Sequence, residues 1–289
     1  MTVAEHTSTQ RFTTRDTAVI KHALRRRSNV IVLRRDREWL SRYGEPRLLL
    51  SRMAARGALR PLGGGRYAIP ALGSSSLSAS VSWQALVHAE LEPLGPYYLG
   101  FLTALEDHRL TDLADPEITA AIGFQNSRLQ RGDAKVAGRP LRVTRMRKAA
   151  FGFGIETARL SRSEWYLRSD LERTLIDCHD RPLLAGSPEI WVLAWGRAFR
   201  EERVDPRRLC DYAAQIGPGA ARRTGMLLSM LGDGEQARDF FPSRVRRADR
   251  QAPLFAELPV EPDHEVDPFW RVIFNLPRDT VTGWLSYGG

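Results

Sequence analysis

The stretch PRLLLSRMAARGALRPLGGGRYAIP, residues 46–70, decides how the first quarter of the chain is read. Pro46 suits the first turn of a helix, where its missing N–H costs nothing. Leu50, Met53 and Ala54 follow i, i+3, i+4 spacing and are predicted to face a core. Arg47, Ser51, Arg52 and Ala55 then point outward, with Arg56 at the helix end and Gly57 as its C-terminal cap. Two β-prone runs follow, residues 58–62 and 66–70, joined by Gly63, Gly64 and Gly65. Helix, strand, glycine turn and strand is the order of a winged helix-turn-helix, the turn being the wing.

The residues before this stretch extend the pattern. Residues 1–11 read as a disordered tail, and residues 13–27 as a first helix with Ala18, Val19 and Ala23 inward. The run SNVIVL is β-branched and reads as a short strand. Residues 35–43 form a second helix packing Trp39 and Leu40, and Gly44 makes the turn. A small, basic outer face on the third helix fits a major groove about 12 Å wide. Arg47 and Arg52 are the candidates for base edges, with Ser51 as a weaker partner. Arg60 and Arg66 flank the turn for phosphate or minor-groove contact, and Gly64 lets the backbone approach closely. The predicted DNA-binding set is therefore Arg47, Ser51, Arg52, Arg56, Arg60, Gly64 and Arg66.

Charge is distributed in agreement with that reading. Residues 1–72 hold 15 Lys and Arg against 5 Asp and Glu, a net of +10, while the remaining 217 residues hold 28 against 29, a net of −1. All the excess positive charge of a chain with net +9 thus sits on the segment with the helix and turn pattern, which predicts a polyanion-binding module joined to a near-neutral domain. The basic residues are almost all arginine, which grips phosphate bidentately and offers little tunable amine for catalysis.

Several chemistries find no support. Cys178 and Cys210 are the two cysteines of the chain, too few for a disulfide framework or a four-cysteine zinc site, and they read as buried thiols. No apolar run approaches a membrane span, and the first residues lack a signal-peptide core, so a cytoplasmic protein is expected. Cys178, His179 and Asp180 are consecutive on a helix, point about 100° apart and cannot form a relay among themselves. The histidines carry no metal-ligand spacing. Asp133 and Lys135 form a lone D-x-K in a glycine-flanked stretch that reads as a turn. No catalytic residue, metal or cofactor is assigned, and the chain is read as a non-enzyme.

From residue 83 the character changes, after a polar linker, residues 73–82, that includes GSSSLSAS. Residues 96–109, PYYLGFLTALEDHR, read as an apolar helix. Residues 118–124, 141–146, 153–158 and 165–168 read as strands. Ser169 and Glu172 form an S-x-x-E capping box, while Ser187-Pro188 and Asp205-Pro206 start two further helices. Trp191, Trp195 and Phe199 read as a core stripe, and the aromatic tail from residue 241 is expected to pack onto this domain. The fold class is α+β: an N-terminal winged helix-turn-helix over 12–72, then a larger mixed domain over 83–240 of a small sheet and a helical bundle, and the tail.

The segments PYYLGFLTALEDHRLTD, SDLERTLIDCHDRPLLAG and DPRRLCDYAAQIGPGAARRTGMLL resemble the AbiEi-type antitoxins, described as regulators of viral defence. The resemblance covers most of residues 12–232, and its motifs are not catalytic. It implies a cytosolic repressor of its own operon, bound to double-stranded DNA at the promoter; inverted repeats in that DNA would indicate two copies bound, whether or not the free protein is a homodimer. It also implies a partner, a nucleotidyltransferase-like toxin, that the second domain counteracts. Without the resemblance, the same residues also accommodate a winged-helix regulator whose larger domain senses a small molecule, or an enzyme with a basic targeting module.

Overall fold

A computed structural model describes residues 13–26, 28–69, 82–113, 116–123, 135–136, 138–161, 164–241, 251–256 and 258–287. The fold is mixed α and β and divides into two compact units, one of residues 1–94 with 158–166, the other of 95–157 with 167–289. The division falls after Leu94, so the helix that follows the expected linker belongs to the first unit. Of that linker, residues 73–81 lie outside the described residues, as do the tail 1–11 and the arginines 244, 246 and 247.

In the first unit, α1 (Thr14–Arg25) opens on a reciprocal capping box between Thr13 and Asp16. Next come β1 (Val30–Val32), α2 (Leu33–Leu40) with a short 3-10 turn, and α3 (Pro46–Ala55). The hairpin strands are β2 (Arg60–Gly63) and β3 (Arg66–Ala68), and α4 (Trp83–Leu91) completes the unit. The sheet runs β1-β3-β2, antiparallel throughout, with Ile31 opposite Tyr67 and Pro61 opposite Tyr67 on the other side. Val19, Ile20, Ile31, Trp39, Leu40, Leu49, Leu50 and Met53 make its core.

The second unit carries β4 (Tyr97–Leu99), α5 (Phe101–Asp107), β5 (Ile118–Gly123), β6 (Lys135–Val136), β7 (Arg139–Met146), β8 (Ile155–Arg159) and β9 (Trp165–Ser169), in sheet order β6-β7-β5-β4-β9-β8. The far end of the β8–β9 hairpin, residues 158–166, is grouped with the first unit. Residues 96–109 are thus not one helix. Tyr97, Tyr98 and Leu99 form a strand between β5 and β9, buried on both faces, which favours β-prone aromatics over helical periodicity. Five helices follow: α6 (Leu171–Asp180), α7 (Pro188–Arg200), α8 (Pro206–Ile216), α9 (Pro218–Met230) and α10 (Gly234–Phe240).

The tail returns to this bundle, as expected. Phe255, Trp270 and Phe274 are buried in the same core as Trp191 and Trp195, and α11 (Arg278–Tyr287) lies on α7. Two glycines permit the approach. A Cβ at Gly196 would collide with the Leu285 carbonyl oxygen, and one at Gly225 with the Trp270 ring. Among the described residues no helix is long and apolar enough to cross a membrane.

Candidate nucleic-acid interface

Helix α3 begins at Pro46, with the Glu45 carboxylate accepting from the Leu48 N–H as its N-cap. That bond is the chief cause holding the Glu45 carboxyl below its usual range. At the other end Ala58 N donates to Met53 O and Gly57 N to Ala54 O, both at 2.9 Å, which satisfies the last carbonyls of the helix. The buried face is Pro46, Leu49, Leu50 and Met53, an i, i+3, i+4, i+7 set. Ala54, expected inward, is half-buried, and Leu49 takes the core position instead. Three leucines in a row hide this phase from a short window.

The outer face carries Arg47, Leu48, Ser51, Arg52 and Ala55, all exposed. At 100° per residue, Ser51 and Ala55 sit in the middle of that face, with Arg47 on one flank and Arg52 on the other. Neither Arg47, Ser51 nor Arg52 has a side-chain hydrogen bond or ion pair among the described residues. Leu48, 48% exposed, is an apolar member of this face that spacing alone did not single out. Arg15 was also missed. It lies in the first turn of α1, 31 positions before Pro46, yet shares a depression of about 250 Å³ with Leu48 and Arg52.

Two residues of the expected set are already engaged within the unit. Arg56 donates from Nη2 to Asp16 Oδ1 at 2.6 Å and from Nε to Oδ2 at 3.2 Å. Asp16 is fully buried, so this pair joins the start of α1 to the end of α3 rather than reaching outward. Burial pushes the Asp16 carboxyl up, but the hydrogen bonds from Arg56 and Thr13 outweigh it and hold the carboxyl below its usual range. Arg66 is the second. Its Nε lies 3.1 Å from Glu90 of α4 and 3.1 Å from the Gly63 carbonyl, folding the side chain back over the turn. A neighbouring carboxylate twenty-odd positions away cannot be read from the hairpin sequence.

The turn itself is as expected. Gly63, Gly64 and Gly65 all have positive φ, at 84°, 58° and 77°, a run that side chains with a Cβ would strain. Gly64 is exposed at its tip and Arg60 is exposed on β2. The surface formed by α3 and this hairpin can therefore offer guanidinium groups, a hydroxyl and bare backbone to a polyanion, with Arg47 and Arg52 carrying most of the available charge.

No protein-family model and no curated protein matches the chain. The fold is similar to that of the RV2827C protein from Mycobacterium tuberculosis, a crystal structure. The TM-score is 0.55 at 14% sequence identity, over 92% of this chain and 93% of that chain. The likeness concerns the fold.

The motif most specific to the sequence resemblance, on α6, has a different character. Its S-x-x-E box is shifted by one residue. Asp170 is the N-cap, accepting from Arg173 N, while Ser169 ends a strand and Glu172 accepts from the Asp205 N–H at 2.9 Å. Arg173 is fully buried, donating to Asp177 Oδ1 at 2.8 Å and to the Tyr98 hydroxyl at 3.0 Å. Tyr98 in turn donates to Asp177 Oδ2 at 2.8 Å. Burial, then the Asp177 carboxylate, push the Tyr98 hydroxyl well above its usual range, so it remains a donor.

Cys178, His179 and Asp180 are separated by the helix, as geometry requires. Burial raises the Cys178 thiol pKa and lowers that of His179, whose Nε2 meets Thr224 Oγ1 at 3.0 Å. Asp180 is held by Arg223 at 2.7 Å. Ser187 and Asp205 cap α7 and α8 as expected.

Proposed function

We propose that the first unit is a winged helix-turn-helix that reads double-stranded DNA, with α3 in the major groove and the glycine hairpin as its wing. The observation that carries this reading is the outer face of α3: Arg47, Ser51 and Arg52 are exposed, without side-chain hydrogen bonds or ion pairs among the described residues, on a segment with net charge +10. The element order helix, strand, helix, helix, strand, strand supports it. Arg47 and Arg52 read bases, Ser51 and Leu48 line the contact, and Arg60 and Gly64 meet the backbone. Arg56 and Arg66 hold the unit together around that surface.

On the resemblance to AbiEi-type antitoxins, the protein is a non-enzymatic repressor of its own operon, binding inverted repeats, and the second unit counteracts a nucleotidyltransferase-like toxin. The buried state of Arg173, Asp177 and Glu172 means that any such contact would use surface outside the α6 motif.

A gel-shift series on DNA upstream of the gene tests the first part. Affinity should fall steeply with salt through counterion release, and Arg47→Ala or Arg52→Ala should each cost roughly 1–3 kcal/mol and relax sequence preference. Undiminished binding by both variants would show that α3 is not the reader. Co-expression with the neighbouring gene tests the second part: a folded protein that fails to rescue growth would remove the antitoxin role.

A further inference from the structure

The second unit contains a basic groove that the DNA reading leaves unused. It lies where the end of β7 and the short 3-10 turn Lys148–Phe151 meet the C-terminal ends of α6 and α8, and its volume is about 490 Å³. Arg145, Arg147 and Arg181 line it, over a floor that includes Met146, Phe153 and Ile216. Asp180 is the one acidic residue in the lining, and it is paired with Arg223 at 2.7 Å.

Arg181 is the distinctive member. Its Nε is buried and has no hydrogen-bond partner, and its side chain makes no ion pair among the described residues. Arg147 is exposed at the rim. Part of this positive charge has a structural use, because helix C-termini carry about half a negative charge each. Set against two such ends, Arg147 and Arg181 alone keep an excess of about one positive charge, and arginine's planar fork suits the oxygens of a phosphoryl group. The groove is also larger than a bare phosphate needs, and its floor is partly apolar, as in sites that hold an organic body beside a charged group.

We infer that this groove binds the phosphate of a nucleotide, with Arg147 and Arg181 on the phosphoryl oxygens and the apolar floor beneath the remainder. The phosphate could belong to a free nucleotide or to a nucleic-acid strand, and the two are separable by experiment. Isothermal titration of the full chain with adenosine 5′-monophosphate, inorganic pyrophosphate and a 5′-phosphorylated thymidine pentanucleotide should give saturable binding. Arg147→Ala and Arg181→Met should each weaken it about tenfold or more, while Arg207→Ala, an exposed arginine on α8 outside the groove, should not.

Tighter binding of the pentanucleotide assigns the phosphate to a strand, and equal or tighter binding of the monophosphate to a free nucleotide. Three results would overturn the inference. One is no binding of any probe at millimolar concentration. Another is equal loss in Arg207→Ala. The third is a glutamate-rich peptide that binds as tightly with the same sensitivity. If Arg181→Met shifts the unliganded unfolding midpoint, the exposed Arg147 carries the test alone. The groove lies in the second unit, so its failure leaves the DNA reading of α3 untouched.

Discussion

Helices α3 and α6 are both ten residues long, and each carries arginine amid apolar positions. On α3 the arginines at 47 and 52 stand exposed. On α6, Arg173 is fully buried and divides its donors among Asp177, Tyr98 and the Ala150 carbonyl. Solvated charge costs nothing to keep and is available to a partner. Buried charge must be matched at every donor, and once matched it has nothing left to offer. The denser motif of the two thus belongs to the helix with the smaller capacity for recognition.

The largest expected effect tests the buried side of that comparison. Arg173→Ala would strand the Asp177 carboxylate in the core and should cost about 3–5 kcal/mol, read as a lower midpoint in chemical denaturation. Arg52→Ala should leave the midpoint where it was. Equal stability losses at the two positions would mean that the exposed and the buried arginine serve the fold alike.

Acid tests the first unit by another route. His88 on α4 is buried against Trp165, ring centroids 3.9 Å apart, and burial first, then the nearby Arg35 charge, lower its pKa to about 4. A folded-state value below the unfolded one means that protons favour the unfolded chain. The associated stability is fully present above about pH 6.5 and is lost as pH falls towards 4, a change of about 3 kcal/mol. DNA binding that fades below pH 6 should therefore follow unfolding of the first unit, and His88→Phe should extend binding to lower pH. Binding that weakens with the unit still folded, by tryptophan fluorescence, would point to a titrating group at the interface itself.

Local patterns were legible where a short segment determines its own geometry. The glycine turn, the caps at Ser187 and Asp205, the phase of Trp191 and Trp195, and the charge asymmetry all read correctly from neighbours in sequence. What was hidden depends on residues far apart. Tyr98 sits in a strand because β5 and β9 flank it, and the pairings of Arg56 with Asp16 and Arg66 with Glu90 join segments 40 and 24 positions apart. An arginine's residue type states that it is charged; where that charge is spent is set by tertiary structure.

Arg47 and Arg52 mark the exposed side of the comparison. Each alanine variant should lose roughly 1–3 kcal/mol of DNA affinity with thermal stability unchanged. Leu48→Ala should act in the same assay to a lesser degree, by removing apolar contact with a thymine methyl group, and replacing thymine by uracil in the site should reproduce that loss.

The smallest effect is the most discriminating within α3 itself. Arg56 is one residue beyond the helix and about two-fifths exposed, whereas the carboxylate it meets is fully buried. Arg56→Ala leaves the Asp16 carboxylate the bond it accepts from the Thr13 N–H at 3.0 Å, so the loss should be about 1 kcal/mol rather than that of an isolated buried charge. The lowered Asp16 pKa gives this contribution a sign in pH: it is present above the ordinary carboxylate range and disappears as pH falls through the folded value. Wild type and Arg56→Ala should accordingly differ in stability at neutral pH and converge in strong acid. At neutral pH the variant should bind DNA with an affinity close to wild type as long as the unit stays folded. A loss as large as that of Arg52→Ala, in a fully folded variant, would instead place Arg56 on the DNA and make Asp16 its resting partner.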